Sequence, residues 1–352
     1  MYTVFADQHH MSLYNSLRLL FENRLEGQLY RPIGQDWLDR GFWKMAELYR
    51  NHPATVAQYL GINESMIDYG NGHYGIRDTQ HNVMTRAITV DAFFKAPIDI
   101  VIATLPMHIE SFAKLAAMHP NHPKLIYQIG NAWNVPPNSP IKNVMASAII
   151  HEPIPPDIHF VSYHQEFDTD IFKPIEYEVL GEKWEPYNNM FSFVNCFSTD
   201  QLFAGDWQIF QAVEQVMPHW VFRTYGGSCR DGSVGTDMEM AAKMRESRFV
   251  WHTKYGGDGY GHVIHDVASV ARPLVTRVGY YMGKLGMHLM KDGVTCVGID
   301  GLSVPEIVTK IEYYSEPTRY ATMCREMYRV FREQVDFDRE FLALRDFLEK
   351  LI

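Results

Sequence analysis

Residues 256–275 read Gly256-Gly-Asp258-Gly-Tyr-Gly261-His-Val-Ile-His-Asp266 and then Val-Ala-Ser-Val-Ala-Arg-Pro273-Leu-Val, and no other stretch restricts the fold so much. Gly256, Gly257, Gly259 and Gly261 let the backbone take φ > 0 and approach another group closely. Val263, Ile264, Val267, Ala268 and Ala271 recur at helical spacing, so residues 262–271 are predicted to be helical. Arg272 and Pro273 end that helix, and an apolar strand follows. Amide N–H groups at the start of such a helix have no intrahelical partner and lie at the positive end of its dipole, which suits an anion. A diphosphate fits there, and with Asp266 in the second helical turn and Asp258 ahead of the turn, one carboxylate would accept ribose hydroxyls and the other face the group beyond the phosphates. The same residues also fit a glycine-rich corner with two solvated aspartates.

The remaining chain repeats the strand, loop, helix order of a doubly wound α/β sheet. Residues 2–6 form a strand running into Asp7-Gln-His9-His10, and residues 13–25 are helical. Residues 98–104 form a second strand, followed by Leu105-Pro-Met-His108 and a helix over 109–118. A third strand over 124–129 is capped by Gly130-Asn131-Ala-Trp133. Loops after the carboxyl ends of parallel strands line the ligand crevice of such a sheet, so His9, His10, His108, Asn131 and Trp133 are candidates to face a ligand. Each histidine also reads as a structural or solvated side chain. In the second half, a strand over 190–194, a helix over 207–216 and a strand over 220–225 ending in Gly226-Gly227 open a nucleotide-binding domain.

A chain of 352 residues with 46% hydrophobic content can bury two cores. No window reaches the roughly 20 apolar residues that a bilayer demands, and the amino terminus lacks the pattern of a signal peptide. A cytoplasmic protein without stable membrane insertion is expected, in the host cytoplasm if the source is viral. Cys196, Cys229, Cys296 and Cys324 show no paired spacing and are expected to be reduced. The net charge of −10 falls almost wholly in the second half, which disfavours a polyanionic partner such as nucleic acid. Against this, residues 30–50 mix Tyr30, Arg31, Trp37, Phe42, Trp43, Lys44, Tyr49 and Arg50, a composition that suits stacking on sugars or exposed bases, or equally the core of a helical insertion. Residues 68–77 read as a loop.

Two carboxylates with seven residues between them around Gly259-Tyr-Gly261 resemble the E-x7-E signature of retaining glycosyltransferases with the GT-B fold, in particular the family-four group, with aspartates here for both glutamates. Gln165-Glu-Phe-Asp168-Thr-Asp170-Ile-Phe172-Lys-Pro174 is similar to the segment that ends the first domain in that family. The resemblance covers most of residues 97–300. It implies two Rossmann-like doubly wound domains facing across a cleft: an acceptor domain over 1–180, a donor domain over 181–325, and carboxyl-terminal helices over 326–352 that pack back on the first domain. The implied reaction moves a sugar from a nucleoside-diphosphate sugar, a UDP-sugar foremost, to a hydroxyl acceptor with retention and with neither metal nor other cofactor. The acceptor would be a glycan, a small molecule or, as in virus-encoded GT-B enzymes, a hydroxymethylated DNA base.

By the same resemblance Gly257, Gly259, Tyr260, Gly261 and Asp266 hold the donor, Gly227 lines its site, and Asp258 orients the sugar, with His10 and His108 as further catalytic candidates. His9, Asn131 and Trp133 would face the acceptor. The family's Gly-Arg pair and following lysine, which clamp the diphosphate, are replaced by Asn195-Cys-Phe-Ser-Thr-Asp200. Arg230 and Lys254 are the nearest substitute cations, each also readable as a surface ion pair. A protein that binds nucleotide sugars without catalysis fits the missing clamp as well. Asp336-Phe-Asp338 has the D-x-D shape of metal-dependent glycosyltransferases but alternates faces on a helix, and His262 with His265 lacks a third ligand, so no metal is expected.

Overall fold

A computed structural model describes residues 1–8, 10–44, 60, 66–130, 140–149, 153–174, 188–256 and 259–351. The chain divides into two compact units, Met1–Phe167 with Phe337–Ile352, and Asp168–Asp336.

In the first unit β1 (Thr3–Ala6), β2 (Gln28–Pro32), β3 (Met66–Gly70), β4 (His73–Asp78), β5 (Val83–Ile88), β6 (Ile100–Ala103), β7 (Lys124–Ile129), β8 (Asn143–Ala146) and β9 (His159–Ser162) form one sheet. Its order is β3-β4-β5-β2-β1-β6-β7-β8-β9. The pairs from β5 through β2 and β1 to β9 are parallel, and β3, β4 and β5 pair antiparallel. Central strands covered on both faces need continuous apolar sequence, which β1 and β6 have. Alternate residues of β1 serve opposite faces: Phe5 packs with Trp37, Phe93 and Phe112, whereas Val4 and Ala6 join Leu17 and Leu20. Helix α1 (Met11–Arg18) follows β1, and α2 (Ile109–Met118) follows β6.

Of the two readings of the aromatic side chains in residues 30–50, the core reading holds for Trp37, Phe42 and Trp43, and the loop expected over 68–77 is overturned. Trp37, Phe42 and Trp43 lie in the core, with Trp37 Nε1 donating to the Ile88 carbonyl at 3.0 Å, so these rings offer no stacking surface. Arg31 is buried and Arg40 pairs with Asp91 at 2.8 Å, while Tyr49 and Arg50 lie outside the described residues. Residues 68–77 are mostly a hairpin: Asn71 and Gly72 take φ of 54° and 81°, the left-handed pair that a two-residue turn between twisted strands requires.

The second unit is a five-stranded parallel sheet of β10 (Asn189–Ser192), β11 (Val221–Thr224), β12 (Phe249–Trp251), β13 (Leu274–Thr276) and β14 (Cys296–Gly298) in the order β11-β10-β12-β13-β14. Helices α3 (Ala204–Val216), α4 (Asp237–Glu246), α5 (His262–Ser269), α6 (Val304–Tyr314) and α7 (Pro317–Gln334) complete it. Phe210 and Val213 of α3 meet Met190, Phe222, Phe249, Trp251 and Val275 from the strands. Helix α5 ends as its sequence demands: Ala271 turns left-handed at φ 57° and Arg272 N donates to the Val267 carbonyl at 3.0 Å, a Schellman closure placed just before Pro273.

The last helix, α8 (Phe337–Glu349), belongs to the first unit, where Leu344, Phe347 and Leu348 pack with Val4, Leu17 and Ile100. Arg24 fixes its start by donating from Nη1 to Asp338 at 2.8 Å and from Nη2 to Glu166 at 2.7 Å. The divisions thus fall at 167/168 and 336/337, against the boundaries at 180/181 and 325/326 expected from the resemblance. Among the described residues no helix is long and apolar enough to cross a membrane.

Candidate functional site

The parallel part of each sheet reverses its strand order once: β1 lies between β2 and β6, and β10 between β11 and β12. Crevices for ligands open at the carboxyl ends of strands at such points. In the second unit the loops after β10, β11 and β12 meet there. Gly227 N donates to Asn195 Oδ1 at 2.9 Å, and Cys196 N donates to the Gly227 carbonyl at 2.8 Å, so two loops are stitched into one floor. Gly226 sits at φ 141°, and a Cβ there would come within 2.6 Å of Asn195 Oδ1 and 3.0 Å of its Cα. Only glycine closes that corner.

The loop after β12 leads into α5. Trp251 Nε1 donates to Thr253 Oγ1 at 2.9 Å, Lys254 is half-buried, and Tyr255 and Gly256 are exposed. Gly257 and Asp258 lie outside the described residues. Gly259 and Tyr260 are buried, and the Tyr260 ring stacks on His265 at 4.5 Å between centroids. His265 Nδ1 lies 2.9 Å from the Gly261 carbonyl, and Gly261, the N-cap of α5, takes φ 80°. The described part of the predicted glycine turn, with Gly256 at φ 71° and Gly261 at φ 80°, leads directly into the helix start.

Asp266 stands in the second turn of α5. Its Oδ1 is buried and has no hydrogen-bond partner among the described residues. Burial, helped by the nearby charge of Asp237, holds this carboxyl well above the usual carboxylate range. An unpaired acceptor in such surroundings costs about 1–3 kcal/mol, so the position is one that a hydroxyl donor would complete.

The expected cations separate. Arg230 is spent on the protein: Nη1 donates to Glu214 at 2.8 Å, Nε to Asp231 at 3.2 Å and Nη2 to the Phe222 carbonyl at 2.9 Å, with the guanidinium over Trp207. Lys254 stays on the loop after β12. A third cation that sequence reasoning passed over, Arg277, follows β13 and donates from Nε to Asp206 at 2.6 Å. An arginine one residue beyond a strand carries no motif, and only its position in the sheet singles it out.

In the first unit His108 is fully buried, stacked on Phe112, with Nδ1 against Asp7 and Nε2 accepting from Lys44 N at 3.0 Å. Thr104 N donates to the other Asp7 oxygen at 2.9 Å. Both ring nitrogens serve the fold, so the expectation of a catalytic His108 gives way to a buried pin between β1, the loop after β6 and residue 44. His10 is exposed and caps α1, its Nδ1 accepting from Leu13 N at 3.5 Å. His9, Asn131 and Trp133 lie outside the described residues. Asp338 is paired with Arg24, and among the described residues no three His, Cys, Asp or Glu side chains group as metal ligands.

Neither a family model nor a curated protein matches the sequence. Solved structures do. HepE of Anabaena in complex with UDP and glucose superposes with a TM-score of 0.62 at 11% identity over 100% of both chains. An S. aureus TarM variant in complex with fondaparinux, alpha-GlcNAc-glycerol and UDP gives 0.60 at 9% identity, covering 99% of each chain. An alpha-glucosyltransferase in complex with UDP and a 13-mer DNA gives 0.61 at 9% identity, covering 98% of this chain and 99% of that one. The fold is GT-B. At these identities the likeness settles the GT-B architecture, not the chemistry.

Proposed function

We propose that this protein transfers a sugar from a UDP-sugar to a hydroxyl acceptor, with retention and without a metal. The observation that carries the reading is Asp266 Oδ1, a buried acceptor without a partner among the described residues, on the helix that follows β12, the strand next to the order reversal of the second unit. Ribose hydroxyls are donors of the right kind for it. That GT-B neighbours were solved with UDP, or with UDP and glucose, supports a uridine nucleotide.

Departure of UDP develops negative charge on the diphosphate and positive charge on the anomeric carbon. In this reading the amides around Gly259, Gly261 and His262 meet the first charge, with Lys254 beside them, and Gly257 and Gly227 leave room for the phosphates. Asp258 holds donor-sugar hydroxyls, and the leaving phosphate itself takes the acceptor's proton on the same face. His10, with His9, Asn131 and Trp133, serves the acceptor, which is bound by residues 1–167. We assign the protein to the cytoplasm, since its four cysteines are all free and suit a reducing compartment. The acceptor is read as a glycan or small molecule, because the aromatic side chains that favoured a base are core residues.

Incubation with labelled UDP-sugars and a panel of glycans, small alcohols and hydroxymethylated duplex DNA, with and without EDTA, tests this. Transfer that survives EDTA is expected. Donor binding with neither transfer nor hydrolysis would make the protein a sensor, transfer only to DNA would change the acceptor class, and absence of UDP binding would end the proposal.

A further inference from the structure

We propose that Arg277 is the cation that meets the donor diphosphate, replacing the arginine and lysine missing after β10; this rests on the UDP-sugar reading. Arg277 begins at the carboxyl end of β13, yet its Nε reaches Asp206 in the first turn of α3, the helix that follows β10. In the sheet β12 lies between those two strands, and Phe210, one turn on from Asp206 in α3, packs on Trp251 of β12 at 5.4 Å, so the pair lies beside β12. That is the strand whose loop leads to Gly261 and the amides of α5.

The pair is rigidly held. Val278 N and Gly279 N donate to the two oxygens of Asp300 at 2.7 and 3.2 Å, which fixes the turn that carries Arg277. Tyr280 OH donates to the second oxygen of Asp206 at 2.9 Å, and its ring meets Tyr255 of the β12 loop at 5.7 Å. Asp206 is almost fully buried and so fixes the guanidinium by one edge. The Nη1 and Nη2 groups have no protein partner among the described residues, in contrast to Arg230, whose three nitrogens are all engaged. A planar fork held at Nε with both Nη groups open is the arrangement that binds phosphate oxygens bidentately.

Calorimetric titration of UDP and of uridine into the full chain tests the assignment, with Arg277→Ala, Arg277→Lys and the exposed-face control Lys243→Ala. Arg277→Ala is expected to weaken UDP at least tenfold while uridine, measured by competition, changes less than twofold. Arg277→Lys should recover part of the loss, and Lys243→Ala should match the wild type. Melting curves show which variants fold; if Arg277→Ala does not, the UDP-to-uridine affinity ratio of Arg277→Lys decides, and a ratio equal to the wild type overturns the proposal. Equal losses for UDP and uridine, or no loss, also overturn it. Wild-type protein that binds no UDP would instead remove the reading beneath it.

Discussion

Asp266 is costly to keep as the fold stands, because burial and Asp237 both oppose its charge and one oxygen lacks a partner among the described residues. A carboxyl whose folded pKa is raised binds its proton more tightly in the native state than in the unfolded chain. Its stabilising contribution is therefore full below the unfolded value of about 3.9 and is lost as pH rises through the folded pKa. Asp266→Asn removes that loss. The variant is expected to melt higher than the wild type at pH 7–8, to lose that advantage near pH 4, and to bind UDP at least tenfold more weakly, as read by melting curves across pH and by titration. A variant that melts lower at neutral pH and binds UDP normally would mark Asp266 as structural. Residues of this kind are half legible in sequence: the carboxylate spacing around Gly259 and Gly261 pointed to Asp266, whereas nothing near Arg277 set it apart from Arg230.

At the scale of elements, glycines decide how closely loops approach. The corner at Gly226 brings the loops after β10 and β11 together, and its φ of 141° leaves no place for a side chain beside Asn195. Gly226→Ala forces either the φ or the Asn195 loop to change, at a cost of about 1–3 kcal/mol. A lower denaturation midpoint with weakened UDP binding is expected, and unchanged values of both would show that the corner tolerates a Cβ. Helix α5 was readable in sequence down to its proline stop, since spacing and backbone chemistry act locally. The hairpin at Asn71-Gly72 carried an equally local signal that its flanking polar residues concealed. The tryptophans of residues 37–43 were unreadable in a different way, because an aromatic side chain has the same sequence appearance whether it covers a core or a ligand.

For the whole molecule, the chain returns at residue 337 to finish the first unit, so the two cores draw on different helices. Unfolding need not be a single two-state step in such a chain. Calorimetry is expected to resolve two transitions. Leu348→Ala, which empties a fully buried site in α8, should lower one by about 2–5 kcal/mol. UDP at a hundredfold excess over its Kd should raise the other by about 2.7 kcal/mol. A single transition moved by both would contradict independent cores. Alternating apolar and glycine-punctuated segments by themselves determined the class of fold, the parallel sheets and the turn before α5, because those depend on residues near one another in the chain. Among the described residues, which cation keeps open nitrogens, which histidine is sealed and which carboxylate oxygen lacks a partner were decided only by tertiary structure. Each of those depends on neighbours tens of residues away, such as Asp206 for Arg277 and Asp7 for His108.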